Sequence, residues 1–551
     1  MKRFIMVLVI AVLVASIFLG SCGDPEKTTT TAPPTTTTMT TTAPTTQPPP
    51  TTMEPVSGGT LRIITPLDPT VLGYPAQSAG RATFFQYCVS ERLVIYAEDI
   101  WESREFQPWL ATDWEITNDM KTYTFTLREG VTFHDGTPWN AEAAKWNVEL
   151  QILEGGSATF NDIASIDVLG EYEIQYNFNT PKNTFLVDAS VGHYMISPTA
   201  YENAGATQEE RKAWAIDHPV GTGPFKLVDV MRGAHVKYEK NADYWGGEPY
   251  LDAVEFLIVP DPTTSAAMLE AGDADMYAYA DHKASIDLNA MEGYTARYRP
   301  LHSPQGMWPN GLDPESVYAD KNVRIALEYA IDREAIVRAV DLGAGAISVM
   351  YQAATPNDPA YRPDFGRKYD VDEAKRLMVL AGQEAGFDTI LHVSAATPIM
   401  HDVAVMIQAM LSEININVQI EIVSPGQYMG LLLRGWPADS LLMSGIPNEP
   451  ISEYIALRDY RYMMPQVPRW NYSKVLTPEM NALYDVLKAA TTPETIIEAY
   501  KALSYQAMDD SVGVYLMDWP DTAVYADYLH TNWISYSTKV WLAHLDWMEP
   551  H

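Results

Sequence analysis

Histidine followed by aspartate, a pair that could bind a metal or move a proton, occurs at His134-Asp135 and at His401-Asp402. After the first pair, a glycine and a nearby proline are typical of a turn, and Asn140 is placed to cap the helix that follows. The second pair fits the first turn of a helix. We therefore predict that both pairs are structural and that neither forms a catalytic or metal site.

Sequence signatures of common enzymes are absent from the chain, which has no His-Glu-x-x-His, no Gly-x-Ser-x-Gly, no Gly-Lys pair and no Cys-x-x-Cys. Gly221-Thr222-Gly223 and Gly343-Ala344-Gly345 do not continue into a dinucleotide fingerprint and are interpreted as turns. No cluster of His, Cys and Asp has the spacing of metal ligands, so no metal or other cofactor is predicted. A surface-tethered hydrolase remains an alternative, because glycosidase carboxylates have no fixed spacing.

The composition indicates a folded and strongly acidic protein. Of the 551 residues, 47% are apolar, and 37 Lys and Arg stand against 71 Asp and Glu, which gives a formal charge of −34. A surface this acidic repels phosphate backbones, so nucleic acid is not an expected partner. The length suffices for about three or four folding units.

The N-terminus is predicted to be a signal peptide, residues 1–22. Lys2 and Arg3 precede an apolar run that is short for a membrane span, and Leu19-Gly20-Ser21-Cys22 resembles a bacterial lipobox. Cys22 is therefore the predicted lipidation site, and two acyl chains would hold the protein on the outer face of the cell membrane. A transmembrane anchor with an incidental cysteine is the alternative. Residues 23–57, rich in Thr and Pro, predict an extended tether.

Helix and strand patterns alternate through the rest of the chain. Thr122 to Arg128 and Glu171 to Asn179 alternate apolar with polar residues, as half-buried strands do. Val323 to Val340 has the apolar spacing of a helix, with Arg324 and Glu328 among the residues outside the apolar stripe. This interleaving predicts an α/β fold.

Several segments, in order along the chain, resemble the family 5 extracellular solute-binding proteins, whose best-known members serve peptide ABC importers. The segments are Gly58-Gly59-Thr60-Leu61-Arg62, Leu110 to Asn147 with its Phe133-His134-Asp135-Gly136 turn, Pro219 to Phe225, Asn241 to Gly247, Val323 to Arg333 and Ala374 to Phe387. Each segment alone is weakly specific, but together and in this order they are highly specific, and the match spans essentially all of residues 58–551. The Gly-Thr-Gly-Pro-Phe segment is interpreted as a tight turn that needs glycine conformations.

The resemblance implies a two-lobed clamshell like that of type II periplasmic binding proteins, with an extra domain. Lobe I would comprise residues 58–95, 190–300 and 508–551, the extra domain residues 96–189, and lobe II residues 301–507. Two chain crossings, near 298–303 and 505–510, would form the hinge. A solute that touches both lobes would favour closure.

The resemblance also suggests where a solute would bind. In the peptide binders of the family, a Trp-x-x-Asp segment presents the carboxylate that pairs with the α-ammonium of the ligand, and Trp436-Pro437-Ala438-Asp439 has that form. The candidate ligand-binding residues are Asp439, Trp436, Trp308, Asn310, Tyr428 and Trp519.

The function implied by the resemblance is that of a monomeric substrate-binding protein, without enzymatic activity, that delivers peptides to an ABC permease and its ATPase. It would work in the periplasm or at the cell surface, held to the membrane by its lipid. An oligosaccharide, an opine-like solute or a metal chelate could replace the peptide in the same fold. The alternatives of another class are the tethered hydrolase and a sensor ectodomain.

Overall fold

The computed structural model describes residues 54–69, 71–74, 81–96, 106–154, 160–191, 194–299, 304–340, 346–347, 360–362, 366–395, 397, 399–445, 475, 477–518, 521–531 and 543–550. The chain divides into two units, Met1–Glu54 and Pro55–His551, and the described structure lies almost wholly in the second. The predicted signal peptide, Cys22 and most of the tether lie outside the described residues. No helix within the described ranges is long and apolar enough to cross a membrane.

The strands are numbered in chain order. They are β1 (Thr60–Thr65), β2 (Val94–Tyr96), β3 (Phe106–Pro108), β4 (Ala111–Ile116), β5 (Thr122–Leu127), β6 (Ile163–Gly170), β7 (Glu173–Phe178), β8 (Phe225–Met231), β9 (His235–Lys240), β10 (Ala253–Ile258), β11 (Met276–Ala278), β12 (Tyr294–Arg299), β13 (Pro304–Pro309), β14 (Ala346–Ile347), β15 (Phe387–Ser394), β16 (Ile416–Val423), β17 (Ser440–Gly445), β18 (Val514–Asp518), β19 (Asp521–Ala526), β20 (Leu529–His530) and β21 (Trp547–Met548).

The α-helices follow the same convention. They are α1 (Ala141–Leu153), α2 (Phe185–Val191), α3 (Pro198–Asn203), α4 (Gln208–Ala215), α5 (Pro262–Glu270), α6 (His282–Asn289), α7 (Lys321–Ala330), α8 (Arg333–Val340), α9 (Val371–Leu380), α10 (Ile399–Ser412), α11 (Pro425–Arg434), α12 (Pro478–Ala489) and α13 (Pro493–Asp509).

Two mixed sheets form the two lobes. The first lobe is built on a seven-stranded sheet with the order β12-β19-β11-β1-β10-β9-β8, and the second on a six-stranded sheet with the order β14-β18-β13-β17-β15-β16. In the first sheet β1 runs parallel to β10 and β11, and in the second β15 runs parallel to β16 and β17. Helices interleave with these strands, as the α/β prediction requires.

The chain passes between these two sheets twice, after β12 and after β18. Arg299, the last residue of β12, is paired with Asp521, and Pro304, the first residue of β13, is paired with Asp518. The two crossings therefore lie side by side. The first agrees with the predicted hinge near 298–303. The second falls between 518 and 521 and not near 505–510, because β18 pairs with β13 and thus belongs to the second sheet. The predicted return to the first lobe at residue 508 comes too early for this strand.

The third sheet, with the order β4-β5-β7-β6, lies in the chain between β1 and β8. The region from β3 to α2 is called the inserted domain below. Its strands confirm the predicted alternation, since Tyr123, Phe125 and Leu127 of β5 are all buried. The side chain of Asn140 accepts a hydrogen bond from the backbone N–H of Ala143 and caps α1, as predicted.

The predicted helix from Val323 to Val340 is two helices. Ile331 has an extended backbone, and the Asp332 carboxylate accepts a hydrogen bond from the N–H of Ala335 at 2.9 Å, which starts α8. Arg324 and Glu328, placed outside the apolar stripe by the sequence, are 3% and 1% exposed. The periodicity located the helical segment but could not detect the break or these buried polar contacts.

The glycines of the Gly221-Thr222-Gly223 segment are required for a reason other than the predicted one. Neither has a positive φ. A Cβ on Gly221 would collide with the carbonyl oxygen of Val89, and one on Gly223 would lie 2.7 Å from the carbonyl oxygen of Cys88. Close approach of two backbones, and not a special dihedral angle, excludes a side chain here.

Candidate functional site

The edge of the second sheet beside the crossings is formed by the carboxyl ends of its parallel strands. β13 begins there and β17 runs antiparallel to it, with Gln305 paired to Gly445. Because β15 is parallel to β17, its last residue, Ser394, lies at the same edge.

The first sheet presents the corresponding edge. β19 begins beside the crossing, and β11 runs antiparallel to it, with Ala278 paired to Ala523. β1 is parallel to β11, so Thr65 also lies at this edge. Ligands of open α/β sheets bind outside the carboxyl ends of parallel strands. The two carboxyl edges beside the crossings therefore form the candidate ligand-binding site, which we call the hinge edge.

Hydroxyl and indole groups converge at the end of β17. The Tyr428 hydroxyl lies 2.7 Å from the Oγ of Ser444, and Trp308 donates from Nε1 to the carbonyl oxygen of Ser444 at 3.3 Å. Burial raises the pKa of Tyr428 to about 12, so its hydroxyl keeps its proton and can donate a hydrogen bond. Trp308 is fully buried and contacts the ring of Tyr515 edge to face at 5.6 Å. The result is a polar strand end supported by a rigid aromatic core.

Two backbone features mark the same edge. Tyr279, directly after β11, has a φ of 58°, a left-handed conformation that is costly for a bulky side chain. The Gln305 side chain lies against Gly445, and a Cβ on that glycine would collide with its amide. Strained backbone conformations of this kind are often found at functional sites.

Four of the predicted ligand-binding residues lie close together, but as parts of the second lobe's core. Trp308 and Trp436 share one apolar cluster, which Tyr428 joins as a partly buried member. Asn310 donates from Nδ2 to the carbonyl oxygen of Trp436 at 2.6 Å. Trp436 is 3% exposed and Asn310 8%. The sequence thus identified a real cluster of side chains, whose contacts in the structure are with the protein itself.

Asp439 lies at the other end of β17 from the hinge edge. Its Oδ1 accepts a hydrogen bond from the backbone N–H of Val317 at 2.9 Å, and its φ is 61°. At about 3.3 Å per residue, the six residues of β17 separate it from the hinge edge by roughly 20 Å. This position gives Asp439 a structural role, and its contact with a ligand stays a prediction. Trp519 lies outside the described residues.

The His134-Asp135 pair forms a turn, as predicted. Nε2 of His134 donates to the carbonyl oxygen of Gly223 at 2.9 Å, and Asp135 accepts hydrogen bonds from Thr137 and Ser197. Burial lowers the pKa of His134 to about 4, so the ring is neutral at physiological pH. Within the described residues, no group of His, Cys, Asp and Glu could hold a metal ion.

Sequence reasoning missed the residues of the hinge edge. Thr65, Tyr279, Gln305, Ser394 and Ser444 belong to no recognisable motif. The only signal was positional, because each of them lies at or next to a strand end. This signal can be used only when it is known which strands are parallel. Strand pairing cannot be read from the order of the strands along the chain.

Known proteins share both the sequence family and the fold. Residues 105–449 match the profile of the bacterial extracellular solute-binding proteins, family 5 middle region. The dipeptide-binding protein of Escherichia coli K12 is 27% identical in an alignment of 381 positions, which covers 61% of this chain and 68% of that protein. Heme-binding protein A of Haemophilus influenzae is 30% identical in an alignment of 321 positions, which covers 52% of this chain and 56% of that protein. The chain therefore matches between 56% and 68% of the length of these two curated relatives.

A solved structure supports the same fold. The periplasmic binding protein DppA from Helicobacter pylori, in complex with the peptide STSA, matches with a TM-score of 0.75 at 22% identity, over 90% of this chain and 99% of that one. Two lobes joined by paired crossings define the class of two-lobed periplasmic binding proteins, which confirms the predicted fold class. Because the family profile covers more than half of the chain, the protein belongs to the bacterial extracellular solute-binding proteins of family 5.

Proposed function

We propose that the protein is the substrate-binding component of an ABC importer and that its solute is a peptide. It would bind the peptide between its lobes, deliver it to a permease driven by an ATPase, and act without enzymatic activity. The observation that carries this proposal is the pair of adjacent crossings, Arg299 opposite Asp521 and Pro304 opposite Asp518, with carboxyl edges of both sheets beside them. Two short adjacent connections are the geometry of a hinge, about which a bound solute can close the lobes.

The choice of a peptide rests on the hydrogen-bonding groups and on the relatives. The side chains of Ser394 and Gln305 at the hinge edge can both donate and accept hydrogen bonds, as the amides of a peptide do. The Escherichia coli relative is named for dipeptides, and the Helicobacter pylori structure contains a peptide. Heme-binding protein A, in contrast, is named for a different solute. Peptide is therefore the first candidate, and another small solute in the same cleft is the second.

Native mass spectrometry of the full-length protein, purified from a bacterial host, tests this proposal. Adduct masses that resolve on denaturation into short peptides would support peptide binding and give the preferred length. A protein that carries no peptide, and whose melting temperature is unchanged by a pool of di- to pentapeptides, would overturn the peptide assignment. Adducts of another mass would identify the alternative solute.

We also propose that Cys22 anchors the protein through its lipid at the outer face of the cell membrane. The support is the lipobox-like sequence before Cys22 and the Thr- and Pro-rich tether after it. Cys22→Ser should move the protein from the membrane fraction to the soluble fraction of fractionated cells, whereas Cys88→Ser should not. Retention of the Cys22→Ser protein in the membrane fraction would favour a transmembrane anchor.

A further inference from the structure

A side chain of the inserted domain caps a helix of the second lobe. Nδ2 of Asn183 donates to the carbonyl oxygens of Leu487 and Ala490, at 3.3 and 2.8 Å. Both carbonyls lie at the C-terminus of α12, where the last carbonyl oxygens of a helix lack the usual helical partners. The carbonyl of Leu487 also accepts a hydrogen bond from the backbone N–H of Ala490 at 3.3 Å. Asn183 is 3% exposed, so both N–H groups of its amide are used away from water.

An apolar contact accompanies this cap. Met120, in the turn between β4 and β5, is 6% exposed and belongs to the apolar cluster of the second lobe that contains Leu487 and Trp308. Ile116 packs against this cluster and against the core of the inserted domain. The backbone N–H of Lys182 donates to the carbonyl oxygen of Met120 at 2.8 Å, which holds the two parts of the contact together. We call the contact of Asn183, Met120 and Ile116 with α12 the second-lobe junction.

The inserted domain is bound to the first lobe by a more extensive set of contacts, the first-lobe junction. Trp109 donates from Nε1 to the buried carboxylate of Glu91 at 2.6 Å. The ring of His134 donates to the carbonyl oxygen of Gly223, and its backbone N–H donates to the carbonyl oxygen of Gly221. The backbone N–H of Leu110 donates to the carbonyl oxygen of Arg92. The guanidinium of Arg128 lies 4.2 Å from the centre of the Trp245 ring. These charged and aromatic groups make the first lobe and the inserted domain one body.

Rotation about the crossings must therefore separate the second lobe from the inserted domain as well as from the first lobe. α12 packs on α13, which leads directly into β18 of the second sheet, so it moves with that sheet. We propose that the second-lobe junction is a releasable closure contact and that Asn183, although outside the hinge edge, is a positioning residue that sets solute affinity by favouring the closed arrangement. This inference rests on the proposed function, because only a binding protein that opens and closes would use such a contact.

Single-molecule energy transfer tests the inference without any assumption about the solute. Dyes are attached to Leu169→Cys in the inserted domain and Leu380→Cys in the second lobe, residues that are 51% and 60% exposed. The full chain carries Cys22→Ser, and its remaining cysteine, Cys88, is buried. The distribution of energy-transfer efficiency is recorded in two states of the protein. The first is the protein as purified from the bacterial host, and the second is the same protein after its solutes have been removed by unfolding and refolding.

In Asn183→Ala, the ratio of open to closed molecules should rise about tenfold in at least one of these states, because two buried hydrogen bonds are lost. The matched control is Asn179→Ala, since Asn179 donates from Nδ2 to the carbonyl oxygen of Asp162 at 3.0 Å, a hydrogen bond within the inserted domain. The ratio of open to closed molecules in Asn179→Ala should equal that of the wild type. Distributions of Asn183→Ala that superimpose on the wild type in both states would overturn the inference.

Met120→Ala provides a second variant if Asn183→Ala does not fold. It removes the apolar part of the same contact and should shift the distribution in the same direction. A folded Met120→Ala protein with the wild-type distribution would count against the inference. If the distributions shift but no peptide is found by mass spectrometry, the closure contact stands and the peptide assignment fails. If peptides bind but the distributions do not shift, the peptide assignment stands and the closure contact is overturned.

Discussion

The two junctions of the inserted domain differ in their chemistry. At the first-lobe junction, the carboxylate of Glu91 accepts hydrogen bonds from Trp109, Thr222, Tyr244 and Trp245, at distances from 2.6 to 2.8 Å. Burial raises the pKa of Glu91, and these four donors oppose that shift. At the second-lobe junction, the polar contact is the neutral amide of Asn183, which caps a helix, and the apolar contacts are those of Met120 and Ile116.

This difference separates a permanent connection from a reversible one. Of the four donors, Trp109 comes from the inserted domain, so opening the first-lobe junction would take this hydrogen bond from a buried carboxylate, together with the contacts of His134 and Arg128. Losing a donor to a buried charge is costly, so this junction should stay closed while the protein is folded. A neutral amide and two helix-end carbonyls can exchange their hydrogen bonds for water at small net cost. The chemistry of each junction therefore matches the motion that hinge closure requires.

The largest expected effect is that of Glu91→Gln. The two indoles donate to different oxygens of Glu91, so the amide NH₂ of glutamine would face one indole N–H, which can only donate, and one hydroxyl. At least one buried donor loses its acceptor, and the remaining hydrogen bonds lose the strength that a charged acceptor gives. We expect the protein to lose roughly 3–5 kcal/mol of stability in urea unfolding followed by tryptophan fluorescence. Glu129→Gln, at an exposed position of the inserted domain, should unfold like the wild type. A Glu91→Gln protein of unchanged stability would show that the first-lobe junction is not held by this carboxylate.

The second-largest expected effect is a loss of stability at the first-lobe junction in acid. Burial lowers the pKa of both His134 and His544 to about 4, and His544 contacts Tyr244 with ring centres 5.2 Å apart. Because the folded-state pKa lies below the unfolded value of about 6.5, this stability is complete above pH 6.5 and is lost as the pH falls toward 4, by about 3 kcal/mol for each histidine.

The measurement is the free energy of unfolding between pH 7 and pH 4. His134→Gln should have a smaller decline over this range, whereas the exposed His218→Gln should decline as the wild type does. Charges near His134 are those of Lys226, which lowers its pKa further, and Asp135, which raises it. An equal decline in His134→Gln and the wild type would contradict the prediction.

The smallest expected effect concerns Met120 at the second-lobe junction. Its φ of 52° is unfavourable for any side chain with a Cβ. Met120→Ala and Met120→Gly both remove the apolar contact, but only glycine relieves the backbone. We expect Met120→Gly to be about 1 kcal/mol more stable than Met120→Ala in urea unfolding. If the Met120→Ala protein is more stable than the Met120→Gly protein, the backbone strain at Met120 is not significant.

Local patterns predicted local structure well. The alternation of Thr122 to Arg128 placed Tyr123 and Phe125 on the buried face of β5, and Asn140 was correctly interpreted as the cap of α1. The burial of Glu328 was not predictable, because its partner Arg367 is 39 residues away and Ser511 is 183 residues away. The second crossing was misplaced for the same reason, since the membership of β18 depends on its pairing with β13.

The candidate site was predicted only in part. The sequence led to Trp308, Trp436 and Tyr428, which do meet in one cluster, but it could not show that the two tryptophans are buried. It led to Asp439 by its motif, and the structure places that carboxylate at the end of β17 away from the hinge edge. Aromatic residues are typical of ligand sites and of cores alike, so residue type alone does not distinguish them.

The sequence by itself determined the α/β class, the solute-binding family, strands β5 and β7 and the cap of α1, because these follow from periodicity, capping residues and ordered local segments. Only the tertiary structure decided which strands are parallel, where the chain crosses between sheets, and that Asn183 reaches the end of α12 across 304 residues of sequence. The physical reason is that strand pairing and junction contacts depend on groups distant in the chain, whose proximity arises only when the lobes pack.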